Sequence, residues 1–133
     1  MLETVATNAK QLQDYRSIAG DALLEEIHEL ARPFRDARVL HINATAFGGG
    51  VAEILTSLIP LMQDAGLDTS WQVIEGSDEF FNATKASHNG LQGMELEFTD
   101  EMKSIWKKYN KLNAEKFEAD YDFVIVHDPQ PAR

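Results

Sequence analysis

The sequence predicts an α/β fold: a short parallel sheet of about three strands with helices on both faces, after a helical extension over residues 1–37. Three observations carry this expectation. Short apolar runs of strand type alternate with longer segments whose apolar residues recur every three or four positions. Such alternation calls for parallel strands joined by right-handed helical crossovers. Three consecutive glycines, Gly48, Gly49 and Gly50, stand between the first of these strands and its helix, at the strand end where open α/β sheets bind ligands.

Taken in order, the elements begin with a helical segment around Ala9 to Ser17. A clearer helix follows in "DALLEEIHELARPF", where Leu23, Leu24, Ile27, Leu30 and Ala31 form a stripe and Asp21 is placed to cap it. Pro33 ends it, and "RVLHINAT" is the first strand. After the glycines, "VAEILTSLIPLMQDAG" carries Val51, Ile54, Leu55, Leu58, Leu61 and Met62 on one face, with a kink at Pro60 and a stop at Gly66. "TSWQVIEG" is the second strand. Ser77 caps the next helix, whose first turn is acidic, and another runs from about Thr99 to Ala119 with Met102, Ile105 or Trp106, Tyr109, Leu112 and Phe117 as its buried stripe. "YDFVIVHDPQP" closes the chain as the third strand. If the strand order is 3-2-1, the first strand is an open edge, and an apolar open edge recruits a partner. Self-association through that edge, or a continuation of the chain, is therefore expected.

Composition narrows the function. A chain of 133 residues supports one domain with a real core. There is no cysteine, which excludes disulfides, thiolate metal sites and cysteine nucleophiles, so a cytoplasmic location is expected. The first residues lack a basic start and an apolar run, and no stretch approaches the length of a membrane span, so no membrane partner is expected. With 22 acidic against 12 basic residues, the net charge of -10 repels polyanions and speaks against nucleic-acid binding. A small anion remains compatible, since a loop of backbone amides does not depend on net charge.

Three stretches carry candidate chemistry, each with a bland alternative. The glycine loop aims backbone N–H groups and a helix dipole at one point, which favours an anion. As a dinucleotide fingerprint it is imperfect, because Glu53 stands where the third glycine belongs, although Glu75 ends the second strand as a ribose-binding carboxylate would. A plain strand-to-helix turn is the alternative. In "EFFNATKASHNGLQG", Thr84, His88 and Gln92 are spaced by four, as are Lys85 and Asn89, so one helix face offers five donors and acceptors suited to a polyhydroxylated ligand. A solvated polar face explains the same spacing. "HDPQP" brings His127, Asp128 and Gln130 to the rim that carries the glycines, either as base and orienter or as a structural loop. His28 and His41 read as structural, and Lys103, Lys107, Lys108 and Lys111 as a solvated helix face; no metal cluster is visible.

Together, "HINATAFGGGVAEIL", "EFFNATKASHNGLQG" and "HDPQP" resemble the amino-terminal part of archaeal and bacterial trehalose synthases of the glycosyltransferring kind, within the retaining glycosyltransferases that include sucrose and glycogen synthases. The resemblance covers nearly the whole chain. It implies a partial Rossmann-like domain, one of two flanking a cleft in which glucose passes from a nucleotide-diphosphate donor to glucose with no metal or other cofactor. By resemblance, Gly48, Gly49 and Gly50 approach the donor, while Lys85, His88, Asn89 and Gln92 face the acceptor. Asp128, with His127 and Gln130 beside it, is similar to the His-Asp segment of trehalose-phosphate synthases, whose aspartate contacts the acceptor hydroxyl and is the candidate catalytic residue. The family's basic pair and donor-binding glutamates lie in a carboxyl-terminal domain that these residues do not include. The chain alone is therefore expected not to transfer glucose. A stand-alone module that binds a sugar or nucleotide, or oligomerises, is the alternative.

Overall fold

The computed structural model describes residues 1–118 and 120–131, and it is an α/β structure built on one mostly parallel sheet. The chain opens with a two-residue strand, β1 (Glu3–Thr4), and then reaches α1 (Arg16–Ala19) through a 3-10 turn at Leu12–Tyr15. Next come α2 (Asp21–Ala31), a 3-10 turn at Arg32–Phe34, β2 (Arg38–Asn43) and α3 (Gly50–Asp64). The remaining elements are β3 (Asp68–Val73), α4 (Asp78–Leu91), α5 (Asp100–Lys116) and β4 (Phe123–Val126). The strands expected from sequence are β2, β3 and β4.

The sheet order is β1-β3-β2-β4, with β1 antiparallel and the others parallel. This corrects the expected 3-2-1 order. The third strand of the sequence pairs with the first, Val39 opposite Phe123 through Ile42 opposite Val126, so β2 is central and the open edge is β4. The other edge, β3, is covered by β1, a strand too short and too polar to have been read from sequence. Centrality explains why β2 is buried from Val39 to Asn43 while β4 is exposed throughout.

Each face of the sheet holds a core. On one side Leu2, Leu40, Ile42, Ile74 and Phe80 pack with half-buried Ile105, Trp106, Tyr109 and Phe117 from the α5 side. On the other, Ala52, Leu55 and Ile59 of α3 pack on Trp71 and Val73. The buried face of α3 is thus rotated from the expected one: Ala52 and Ile59 turn inward and Ile54 is exposed. The small side chain of Ala52 permits that approach of helix to sheet. Pro60 lies inside α3, buried, and the helix continues past it to Asp64.

Several local expectations are corrected by tertiary contacts. The helix expected from Ala9 begins only at Leu12, because the preceding segment is tied outward: Val5 N–H donates to the Trp71 carbonyl, Lys10 Nζ to Ser57 Oγ and Leu12 N–H to Asp64 Oδ2. Asp21 is not the cap of α2; Gly20 holds that place with φ of 78°, and Asp21 pairs with Arg16 from the first turn. The α2 stripe is not a core face either, since only Leu24 is buried while Leu23 and Leu30 are exposed. Ser77 does cap α4, accepting from the Phe80 N–H at 3.3 Å, and Thr99 caps α5 in the same way. Ala119, where the last helix was expected to end, lies outside the described residues. No helix among the described residues is long and apolar enough to cross a membrane.

Candidate functional site

A cavity of about 860 Å³ opens at the carboxyl ends of β2, β3 and β4, lined by the glycine loop, the inner face of α4 and the residues after β4. Its floor is anchored in the core. Trp71, fully buried on β3, donates Nε1–H to Asn43 Oδ1 at 2.7 Å, and Asn43 donates Nδ2–H to the Thr45 carbonyl at 2.8 Å. Thr45 then bonds both polar backbone groups of Phe47. One buried asparagine thereby aims the whole strand-to-helix turn. Nothing in the sequence pattern singled it out, although an amide at the last residue of an apolar strand is a usable signal.

The three glycines differ in what requires them. Gly48 and Gly49 have φ of 71° and 118°, conformations that side chains strain to adopt. Gly50 opens α3 with no positive φ, and a Cβ there would meet no atom within 4 Å. Neither backbone conformation nor packing within the chain demands a glycine at 50. The loop delivers the amino end of a fifteen-residue helix to the cavity, so its N–H groups face the space where an anion or a polarised hydroxyl is favoured.

From α4, Thr84, Lys85 and His88 line the cavity. Thr84 is buried with its hydroxyl donated to the Phe81 carbonyl, which leaves Lys85 and His88 as the wall's free polar groups. Asn89 and Gln92 stand outside the lining, because they belong to the last turn of α4, where Gln92 is the C-cap and bonds back to the Asn89 carbonyl. Glu75 turns toward α5, where its carboxylate pairs with Lys116 and its backbone N–H and C=O are both held by the buried Asn113 side chain. That geometry sets it against the structure of a ribose-binding carboxylate.

The loop after β4 contributes Asp128 and Gln130 to the lining. Asp128 adopts a left-handed φ of 65°, which only a local turn or a function sustains in a residue with a side chain. Gln130 Oε1 is buried with no hydrogen-bond partner among the described residues. His127 is not in the lining. It turns back into the sheet, where its Nε2 lies 2.9 Å from Nδ1 of His41 and the two rings stack at 5.2 Å. Burial, with His127 second, pushes His41 down to about 4. Among the described residues no three metal-ligating side chains come together. Among the described residues, the fixed charges of the lining are one ammonium, Lys85, and two carboxylates, Glu3 and Asp128.

Comparison with known proteins places this geometry in a family. Residues 41–133 match the family described as "Trehalose synthase, N-terminal domain". The trehalose synthase of Thermococcus litoralis is 54% identical over 125 residues, which are 92% of this chain and 30% of that protein. That of Rubrobacter xylanophilus is 51% identical over 135 residues, 99% of this chain and 32% of that protein. More distantly, a trehalose phosphorylase of Pleurotus pulmonarius is 30% identical over 132 residues, 90% of this chain and 18% of that protein. The chain thus spans about a third of the length of the trehalose synthases it matches and corresponds to their amino-terminal part.

Proposed function

Because this chain belongs to the family of trehalose synthase amino-terminal domains, we propose that it forms one wall of a retaining glycosyltransferase site that moves glucose from a nucleotide-diphosphate donor to glucose. The observation that carries the reading is Gly50, a glycine that the chain's own conformation and packing do not need, at the mouth of a helix dipole. A ligand brought against the backbone there gives that glycine a physical reason. The glycine loop meets the donor sugar and diphosphate, and Lys85, His88, Asp128 and Gln130 hold the acceptor hydroxyls, with Asp128 nearest the chemistry. Asn89 and Gln92 belong to the reading only as the support of that helix end. The work is cytoplasmic, in keeping with a chain free of cysteine.

These residues by themselves bind but do not turn over. A departing nucleotide diphosphate carries at least two negative charges, whereas the described residues of the lining offer one ammonium against two carboxylates. Catalysis needs further cations and a closed, water-excluding cleft, neither of which the described residues form.

Calorimetric titration with glucose, trehalose and nucleotide-glucose tests the site. His88→Ala is expected to weaken sugar binding about tenfold through one lost hydrogen bond. Gly50→Ala is expected to weaken the nucleotide-sugar about tenfold while leaving stability unchanged or raised by up to about 1 kcal/mol. Binding unaltered in both variants would reject the assignment, and brisk trehalose formation by the chain alone would reject its inactivity.

A second reading, a stand-alone module that associates with itself through the sheet edge, is favoured by one specific observation. Phe123, Val124, Ile125 and Val126 are all exposed on the edge strand, and Phe34 packs edge-on against Phe123 to extend that apolar surface. Light scattering over a concentration series decides it.

A further inference from the structure

His41 takes no part in the cavity lining, yet it is a titratable side chain, 2% exposed, on the central strand of the sheet. Its Nδ1 meets His127 Nε2 at 2.9 Å, and its own Nε2 is buried with no partner among the described residues. Opposite it in register lie Trp71 on β3 and Ile125 on β4, and Leu55 and Ile59 of α3 pack on the Trp71 face. None of these four is titratable. The charge that acts on His41 is that of His127, and Asp128 is the next residue along.

The orphan nitrogen decides which way the shared hydrogen bond runs. A neutral imidazole has one N–H donor and one bare acceptor. A buried N–H with nothing to donate to is the costlier orphan, so the proton of His41 sits on Nδ1 and Nε2 keeps its lone pair. His41 therefore donates, and Nε2 of His127 accepts. The proton of His127 must then reside on its Nδ1.

We propose that His41 is a positioning residue for the cavity: through this one bond it fixes the tautomer and ring of His127, and so holds the 127–131 loop with Asp128 and Gln130 against the ligand space. The loop has one further tie to β2, the His127 N–H on the Ile42 carbonyl at 2.8 Å. The two bonds act as a pair, backbone and side chain, on the residue that precedes the left-handed Asp128. The inference rests on the proposed function only in calling the space a ligand site.

Its test therefore uses the ligand-free chain. Long-range nitrogen–proton NMR of the histidine rings is expected to report the Nδ1–H tautomer for both His41 and His127 at pH 7, with His41 neutral until about pH 4. Amide hydrogen exchange at His127 and Asp128 is expected to quicken about tenfold in His41→Leu and to return toward the parent rate in His41→Asn, whose amide N–H stands near the place of Nδ1–H. An Nε2–H tautomer for His41, or exchange in His41→Leu that matches the parent, overturns the proposal. So does equal quickening in the leucine and asparagine variants, which marks a packing effect. Should His41→Leu fail to fold, the tautomers of the unmodified chain decide alone. Loss of sugar binding in other variants leaves these readings untouched.

Discussion

Strands β2 and β4 lie side by side, and their sequences, "RVLHIN" and "FVIV", announce the same thing: an apolar run that fits a pleated, buried surface. Their fates differ. Leu40 and Val124 face each other in register on the same side of the sheet, yet Leu40 is 0% exposed and Val124 42%. The difference comes from position, since β2 has a strand on each side and a helical layer on each face, whereas β4 has a neighbour on one side only. Apolar composition tells that a strand forms; it does not tell how much of its surface the chain itself covers. The cavity straddles the two strands, with the glycine loop growing from the buried one and the Asp128 loop from the exposed one.

Mutation can break that comparison most directly at the registered pair. Leu40→Ala should lower the stability of the chain by about 4 kcal/mol, as a fully buried leucine truncated beside Ile42 and Phe80 leaves a cavity. Urea denaturation measures it, and a loss below about 1 kcal/mol, the size expected at a half-exposed site, would mean that β2 is no better covered than β4. Titration probes the same contrast through His41, whose pKa of about 4 lies below the 6.5 of an unfolded histidine because burial on β2 penalises its charge. Between those values the unfolded chain binds a proton that the folded chain does not, so stability is complete above about pH 6.5 and falls as pH drops toward 4, by roughly 3 kcal/mol in all. Denaturation midpoints at several pH values, with the His41→Asn chain as reference for the carboxylates, isolate this contribution. No difference between the two chains would place His41 in water.

A smaller effect sharpens the link from buried strand to cavity. Asn43→Ala leaves the Trp71 indole N–H without its acceptor and frees the Thr45 carbonyl, and should cost about 2 kcal/mol. Trp71 fluorescence and amide exchange in the glycine loop follow it, and an unmoved loop would show that Asn43 does not aim it. The smallest effect belongs to the exposed strand. Val124→Lys should change the stability of the chain by less than about 0.5 kcal/mol while reducing any self-association seen by light scattering. A large loss of stability would mean that β4 is covered after all.

What could be read from the residues was local in origin. The period of the apolar residues located the three parallel strands and the principal helices, Ser77 announced its cap, and the glycines marked the turn at the strand end. The motif resemblance reached the family because three such stretches stand in order along one chain. What eluded that reading depends on partners distant in sequence. The turn inward of Ala52 rather than Ile54, and the two asparagines buried on α5, follow from what the neighbouring layer offers. Asn113, which grips the Glu75 backbone 38 residues away, looks like any polar helix residue until that strand end is beside it.

The sequence by itself determined the α/β class, the elements and the glycine turn, since backbone preference and side-chain period act over a few residues. Tertiary structure alone decided that the last strand lies beside the first, and with it which edge is open and which residues share the cavity. His41 and His127 are 86 residues apart, and only the pairing of β2 with β4 makes them one hydrogen bond. Strand order is set by which hydrophobic faces can be covered together, a property of the whole chain rather than of any stretch of it.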